Sequence, residues 1–342
     1  MGFWTFFEVA SMPIVQVLLI SVLGALMATQ YWNLLTADAR RSLNKMVFTV
    51  FTPSLMFASL AKTVTLEEII SWWFMPVNVA MTFLIGGILG WIVVKLLRPK
   101  PHLEGLVIAT CASGNLGNLL LIIVPAICHE QGSPFGNRDV CSSVGLSYAS
   151  FSMAASHLQT GKESFWKRSL EFLHQLLEEL LAPPTLAAIV GFIFGAVVWL
   201  RNLIIGDSAP LRVIQDSIEI LGDGTIPCIT LILGGNLIQG LRSSTLKPLI
   251  IIAVVCVRYV ALPFIGVWVV KAAAALGFLP SDPLYHYVLM VQFTLPPAMN
   301  IGTMTQLFDV AQEECSVLFL WTYLVAALAL TGWSMVYMWI LS

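Results

Sequence analysis

The stretch VQFTLPPAMNIGTMTQ, residues 291–306, decides how this chain folds. It lies inside an apolar run, 284–308, long enough to cross a bilayer, for which about 20 apolar residues suffice. Pro296 and Pro297 remove two backbone donors and push Leu295 out of the helical region, so a continuous helix through them is not expected. The pattern predicts a break there and a new half-helix after it, with proline suited to its first turn. In lipid, every backbone group freed by such a break must find a partner inside the protein. A second run, 103–128, carries CASGNLGN at 111–118, which crowds Gly114, Asn115, Gly117 and Asn118 into little more than one turn. Each glycine costs about 1 kcal/mol against alanine in a helix. Two readings remain open: an unwound crossing, or a close helix contact built on small residues.

Outward from these two segments, the composition places the whole chain in a membrane. Of 342 residues, 58% are hydrophobic and 11% charged, with a mean hydropathy of +0.87. A soluble domain is roughly 45–50% apolar and about 25% charged. Ten apolar stretches separate, at 9–30, 42–61, 72–97, 103–128, 140–159, 181–201, 213–239, 247–277, 284–308 and 314–341. Counting basic residues by loop orients them. Arg40, Arg41, Lys45, Lys95, Arg98, Lys100, Lys162, Lys167, Arg168, Arg242 and Lys247 share one side, which should be cytosolic. Lys62, Arg138, Arg201, Arg212 and Lys271 share the other, with both termini; Arg258 alone lies well inside a span. The net charge of −2 leaves no basic stripe for nucleic acid. The opening MGFWTFFEVASMP lacks the basic residues of a cleaved signal, so the first helix is expected to stay.

The two halves echo each other. Pro53 and Pro227 stand 174 positions apart, as do Asp139-Val-Cys-Ser and Glu313-Glu-Cys-Ser, which open the fifth and tenth helices. GNLGN at 114–118 parallels PPAMN at 296–300. Five helices per half turn the second copy upside down, the arrangement of secondary transporters that bind substrate near the midplane. The expected fold is therefore all-α and integral to the membrane. Ten transmembrane helices form two inverted five-helix repeats, 1–160 and 181–342, with broken, crossing fourth and ninth helices and a short cytosolic loop at 161–180.

Half-helix N-termini at the two breaks would present free N–H groups and a positive partial charge to a carboxylate. Asn118 and Asn300 would add amide donors from opposite sides. Pro53 and Pro227 are expected as paired kinks that shape the pocket wall. Asp216, Glu219 and Asp223 share a helix face, leaving Arg258 and Asp223 as a candidate buried pair or the acidic face as a solvated one. Gly86/Gly90 and Gly191/Gly195 have helix-contact spacing. The six cysteines form no CxxC or zinc pattern and read as small core residues. No metal, cofactor, P-loop or nucleophile–base arrangement is indicated, which argues against an enzyme or an ATP-driven pump.

GNLGNLLLIIVPAIC at 114–128 and PPAMNIGTMTQLFDV at 296–310 resemble the plant PIN-LIKES family of auxin carriers, relatives of the PIN auxin efflux carriers. The resemblance covers nearly the whole chain. It implies transport of the indole-3-acetic acid anion across the endoplasmic reticulum membrane by alternating access, with luminal termini. It also implies substrate contacts at Gly114, Asn115, Gly117, Asn118, Pro296, Pro297 and Asn300, with Met299, Phe293 or Val50 against the indole ring. The glycine-rich first crossing and the short central loop depart from the PIN pattern. The partners are a small carboxylate and the bilayer, with a homodimer left open. The alternatives are a proton- or sodium-coupled carrier of another organic anion, or an auxin-binding receptor that moves nothing.

Overall fold

A computed structural model describes residues 3–63, 70–116, 118–160, 183–206, 209–239, 246–298, 301–302, 305 and 310–341. The cytosolic loop read at 161–180, and the amphipathic helix considered within it, lie outside the described residues. Every regular element among those described is helical, and the one extended pairing is an isolated bridge.

α1 (Phe3–Met27) is apolar on all faces, as a helix solvated by lipid must be. α2 (Ala37–Met46) starts at Thr36, whose hydroxyl accepts from the Ala39 N–H at 3.2 Å. Asp38 in its first turn and Lys45 in its last match the helix dipole. A π turn, Val47–Phe51, carries it into α3 (Thr52–Thr63). α4 (Phe74–Leu97) is followed by α5 (Pro101–Ala112) and α6 (Asn118–His129), the two halves of the 103–128 run. α7 (Arg138–Thr160) leads to α8 (Pro183–Ala196), which bends by 104° into α9 (Val198–Ile204). α10 (Arg212–Asp223) and α11 (Thr225–Gln239) meet at Gly224. α12 (Pro248–Cys256) passes through a second π turn, Val257–Ala261, into α13 (Leu262–Ala275). α14 (Pro283–Gln292) and the long α15 (Gln312–Leu341) complete the chain.

Six helical runs among the described residues are long and apolar enough to span a bilayer: Ala10–Met27, Ala37–Lys62, Phe74–Leu97, Arg212–Asn236, Pro248–Ala275 and Glu313–Leu341. The bent pair α8 and α9 makes a seventh if counted as one. The sequence reading separates ten stretches, and the difference has physical causes. Two runs are cut by their own breaks, after Ala112 and after Gln292, and neither leaves a helix of spanning length. α7 is long enough but rich in serine, and Ser147, Ser150 and Ser152 are all buried in it.

Small residues bring the helices close. Gly24 and Gly234 let α1 and α11 touch backbone to backbone, and Gly86 and Gly90 seat α4 on Cys111 and Ile108 of α5. A Cβ on Gly222 of α10 would lie 2.9 Å from the Leu55 Cα of α3. Pro53 and Pro227 each follow a break, the first π turn and the Gly224 junction, and a Cβ on Gly224 would meet the Phe51 ring at 3.6 Å. The two segments therefore pack together near these prolines.

One expectation about the cysteines is corrected. Cys128, in the last turn of α6, and Cys141, in the first turn of α7, form a disulfide across 13 residues. Neither spacing nor apolar context marks this pair, because the loop between them brings two helix ends together only in three dimensions. Cys111 and Cys315 are free and buried, as core thiols should be. Closing a loop of this size stabilises by about 3 kcal/mol. Cys128→Ser is expected to lower the thermal midpoint in detergent by several degrees, and intact-mass analysis after alkylation without reductant should show two thiols protected in the parent protein.

Candidate functional site

The broken segments meet. Past Ala112 the chain leaves the helix over Ser113–Leu116, and past Gln292 it runs extended through Leu295–Ala298. Gly114 and Pro297 form an antiparallel bridge. The Ala298 N–H donates to the Ser113 carbonyl at 3.0 Å, and the Asn115 N–H donates to the Pro296 carbonyl at 2.8 Å. The proline pair has no N–H to give, so it enters this pairing through carbonyls alone.

The remaining freed carbonyls are met by side chains reaching in from neighbouring helices. Tyr323 of α15 donates its hydroxyl to the Pro297 carbonyl at 2.8 Å and accepts from the Asn115 amide at 2.9 Å. Arg258, in the second π turn, donates Nη1 to the Cys111 carbonyl at 3.0 Å and Nη2 to the carbonyls of Leu295 and Pro296. The approach to the break is held as firmly. Gln292 accepts from the Asn78 amide at 2.6 Å and donates to the Ser152 hydroxyl at 3.0 Å, and Thr294 shares a 2.5 Å hydrogen bond with the Tyr337 hydroxyl. All five of these side chains are buried. Buried hydrogen bonds linked in this way hold the approach in one geometry, with Asn78 Oδ1 the one atom of the set left without a partner.

Beside the crossing lies an apolar cleft of about 450 Å³, counting its open mouth. Val17, Leu18 and Ser21 of α1, Leu119 and Ile123 of α6 and Leu233 of α11 line one part; Pro296, Tyr323, Ala326, Ala327 and Leu330 line the rest. Its lining, mostly apolar with a few polar groups, is of the kind that small-molecule sites have. Ser21 Oγ is buried at its edge without a hydrogen-bond partner. No group of three His, Cys, Asp or Glu side chains among the described residues is arranged to hold a metal.

Of the residues singled out from the sequence, Gly114, Asn115, Pro296 and Pro297 come together at the crossing. Gly117, Met299 and Asn300 lie outside the described residues, and Asn118 is described only through its backbone, which opens α6. The Arg258–Asp223 pair is corrected: Arg258 is spent on carbonyls, while Asp223 is exposed at the end of α10. The acidic face of α10 pairs at the surface instead, Glu219 with Lys62 and Asp216 with Arg212, both at 3.3 Å. Phe293 is not at the cleft either; its fully buried ring packs on Gly266 of α13. Val50 is exposed on the first π turn. Neither of these two residues lines the cleft. Sequence reasoning missed Tyr323. Its signal is the one tyrosine, beside Thr322, in the otherwise apolar LFLWTYLVAALAL at 318–330, where a buried tyrosine must find a hydrogen-bond partner.

The chain matches the family described as "Membrane transport protein" over residues 9–159 and 165–334. It is 61% identical to PIN-LIKES 7 of Arabidopsis thaliana, with 100% of both chains covered. The chain belongs to the PIN-LIKES family of membrane transport proteins. Its likeness to PIN-LIKES 5 of the same plant is 58% over 99% of each chain, and to PIN-LIKES 3 it is 43% over 98% of each. A PIN-LIKES protein is a multi-pass membrane transporter and not an enzyme, in keeping with the apolar helices and the broken pair at their centre. Tyr323→Phe leaves the Asn115 amide and the Pro297 carbonyl without their buried partner, which costs about 1–3 kcal/mol. The expected outcome is a lower thermal midpoint together with reduced transport, whereas Thr331→Val, on the same helix away from the crossing, should leave transport unchanged.

Proposed function

We propose that this PIN-LIKES protein carries auxin, as the indole-3-acetate anion, across the endoplasmic reticulum membrane by alternating access and so sets how much auxin is available inside the cell. The observation that carries the reading is the bridge between Gly114 and Pro297, with an apolar cleft beside it. α6 begins within a few residues of the bridge, so its free N–H groups and positive dipole end lie at the crossing. Leu119, in the first turn of α6, lines the cleft. A carboxylate at the helix start would therefore leave its aromatic ring against apolar wall, which is the chemistry of an amphiphilic organic acid.

The antiparallel sense of the bridge supports two inverted repeats, 1–160 and 181–342. If α5 with α6, α8 with α9, and α14 with the residues after Pro297 each count as one broken span, and α7 as another, the total is ten. The Cys128–Cys141 disulfide supports the orientation, because disulfides persist in oxidising compartments such as the reticulum lumen. It joins the helix ends on either side of the loop before Arg138, opposite the side with eleven basic residues. Both termini would then be luminal.

The test is counterflow of labelled indole-3-acetate in proteoliposomes containing the purified protein. Exchange is expected for the parent, and at least a tenfold loss for Asn115→Ala and for Asn300→Ala. A protein that binds auxin but gives no counterflow is a receptor. Exchange of other organic anions with no exchange of auxin identifies a different cargo.

A further inference from the structure

Arg258 is fully buried, about 15 Å into its span if each residue of Pro248–Arg258 rises 1.5 Å. Its guanidinium lies directly behind the bridge: a Cβ on Gly114 would approach Nη2 to 2.8 Å. The side chain satisfies carbonyls on both broken segments, Cys111 on one and Leu295 and Pro296 on the other, while Nε is buried with no partner. Among the described residues, the titratable groups acting on it are Tyr259, Cys111 and Tyr323, none of them a carboxylate. The ion pairs on α10 lie at exposed positions, and no carboxylate among the described residues compensates Arg258. A neutral donor would do for a carbonyl here, as the Tyr323 hydroxyl does for Pro297 and the Asn115 N–H does for Pro296. Burying a charge without a counter-charge is far more costly than burying such a neutral donor. The charge itself therefore calls for a role beyond filling hydrogen bonds.

We propose that Arg258 is the fixed counter-charge of the transported anion: the empty crossing is a cation, the loaded crossing is neutral, and monovalent organic anions are thereby selected over neutral and doubly charged analogues. This rests on the crossing being the carboxylate site. Arg258 acts as a positioning and specificity residue, holding both strands of the bridge and setting their field without touching the substrate. In a medium of low dielectric that field is weakly screened over the width of the bridge. Neutral loading also answers a physical need, since a body that carries net charge through hydrocarbon meets a large barrier.

The experiment compares binding of indole-3-acetate, the neutral indole-3-acetamide and the dianionic indol-3-ylmethylphosphonate (at a pH where it carries two charges) to the full-length protein in proteoliposomes. The parent is expected to prefer the acetate at least tenfold over both. Arg258→Gln should bring the acetate-to-amide ratio near one, and Arg258→Lys, which keeps a charge with fewer carbonyl bonds, should keep at least a threefold preference despite lower thermal stability. A parent that binds the amide as tightly as the acetate overturns the proposal. So does an Arg258→Gln protein with the parental ratio or, if that variant does not fold, an Arg258→Lys protein without preference. No binding of any of the three by the parent overturns the auxin reading itself, whereas acetate binding with an unaltered ratio in Arg258→Gln removes only the role given to Arg258.

Discussion

A carbonyl freed inside a bilayer must be paired by the protein, and much of this structure follows from that demand. Two helices break inside their apolar runs, one because glycine and asparagine are poor helix formers, the other because consecutive prolines forbid the helix. Neither break would survive alone. Each supplies part of what the other lacks: Asn115 gives its N–H to Pro296, and Ala298 gives its own to Ser113. What backbone cannot supply comes from two long side chains, Tyr323 and Arg258, reaching in from different helices. The crossing is thus one cooperative unit, and losing any member leaves a polar group stranded in an apolar core.

The surrounding helices are arranged to keep that unit in place. The Asn78–Gln292–Ser152 chain ties α4, α14 and α7 together just before the second break, and Thr294 is fastened to Tyr337 of α15. These bonds are neutral, so they fix position without adding charge to the membrane interior. Glycines do the complementary work at other contacts. On the α1–α11 and α3–α10 faces they let backbones approach so closely that a methyl group would not fit. The cleft lies where these two kinds of packing meet, with α1 and α11 on one side and the crossing on the other.

Much of this was legible in the chain. Scarce charge and long apolar runs required a membrane, and the doubled prolines at Pro296 and Pro297 required a break, because both follow from local covalent chemistry. The glycine and asparagine of 114–118 marked the second break for the same reason. The pairing of partners was not legible. Arg258 and Asp223 were the natural ion pair by charge alone, yet the nearest unsatisfied atoms to Arg258 are backbone carbonyls, which the sequence displays at every residue and so cannot single out. Cys128 and Cys141 likewise look like core thiols until the loop between them folds back. Phe293 was a candidate apolar contact for the indole ring, but the turn after Gln292 places its ring on Gly266.

The sequence by itself determined the solvent of this protein, where its helices fail and which chemical groups are too scarce to build an anion site from charge pairs. Those properties are set by composition and by the conformational limits of proline and glycine, which act residue by residue. Only the tertiary structure decided that the two failures meet, that Tyr323 and Arg258 complete them, and that α1 and α11 shape the adjoining cleft. Among these choices of partner, Arg258 with Cys111 reaches across 147 positions of chain and Tyr323 with Asn115 across 208, and no local preference carries that information.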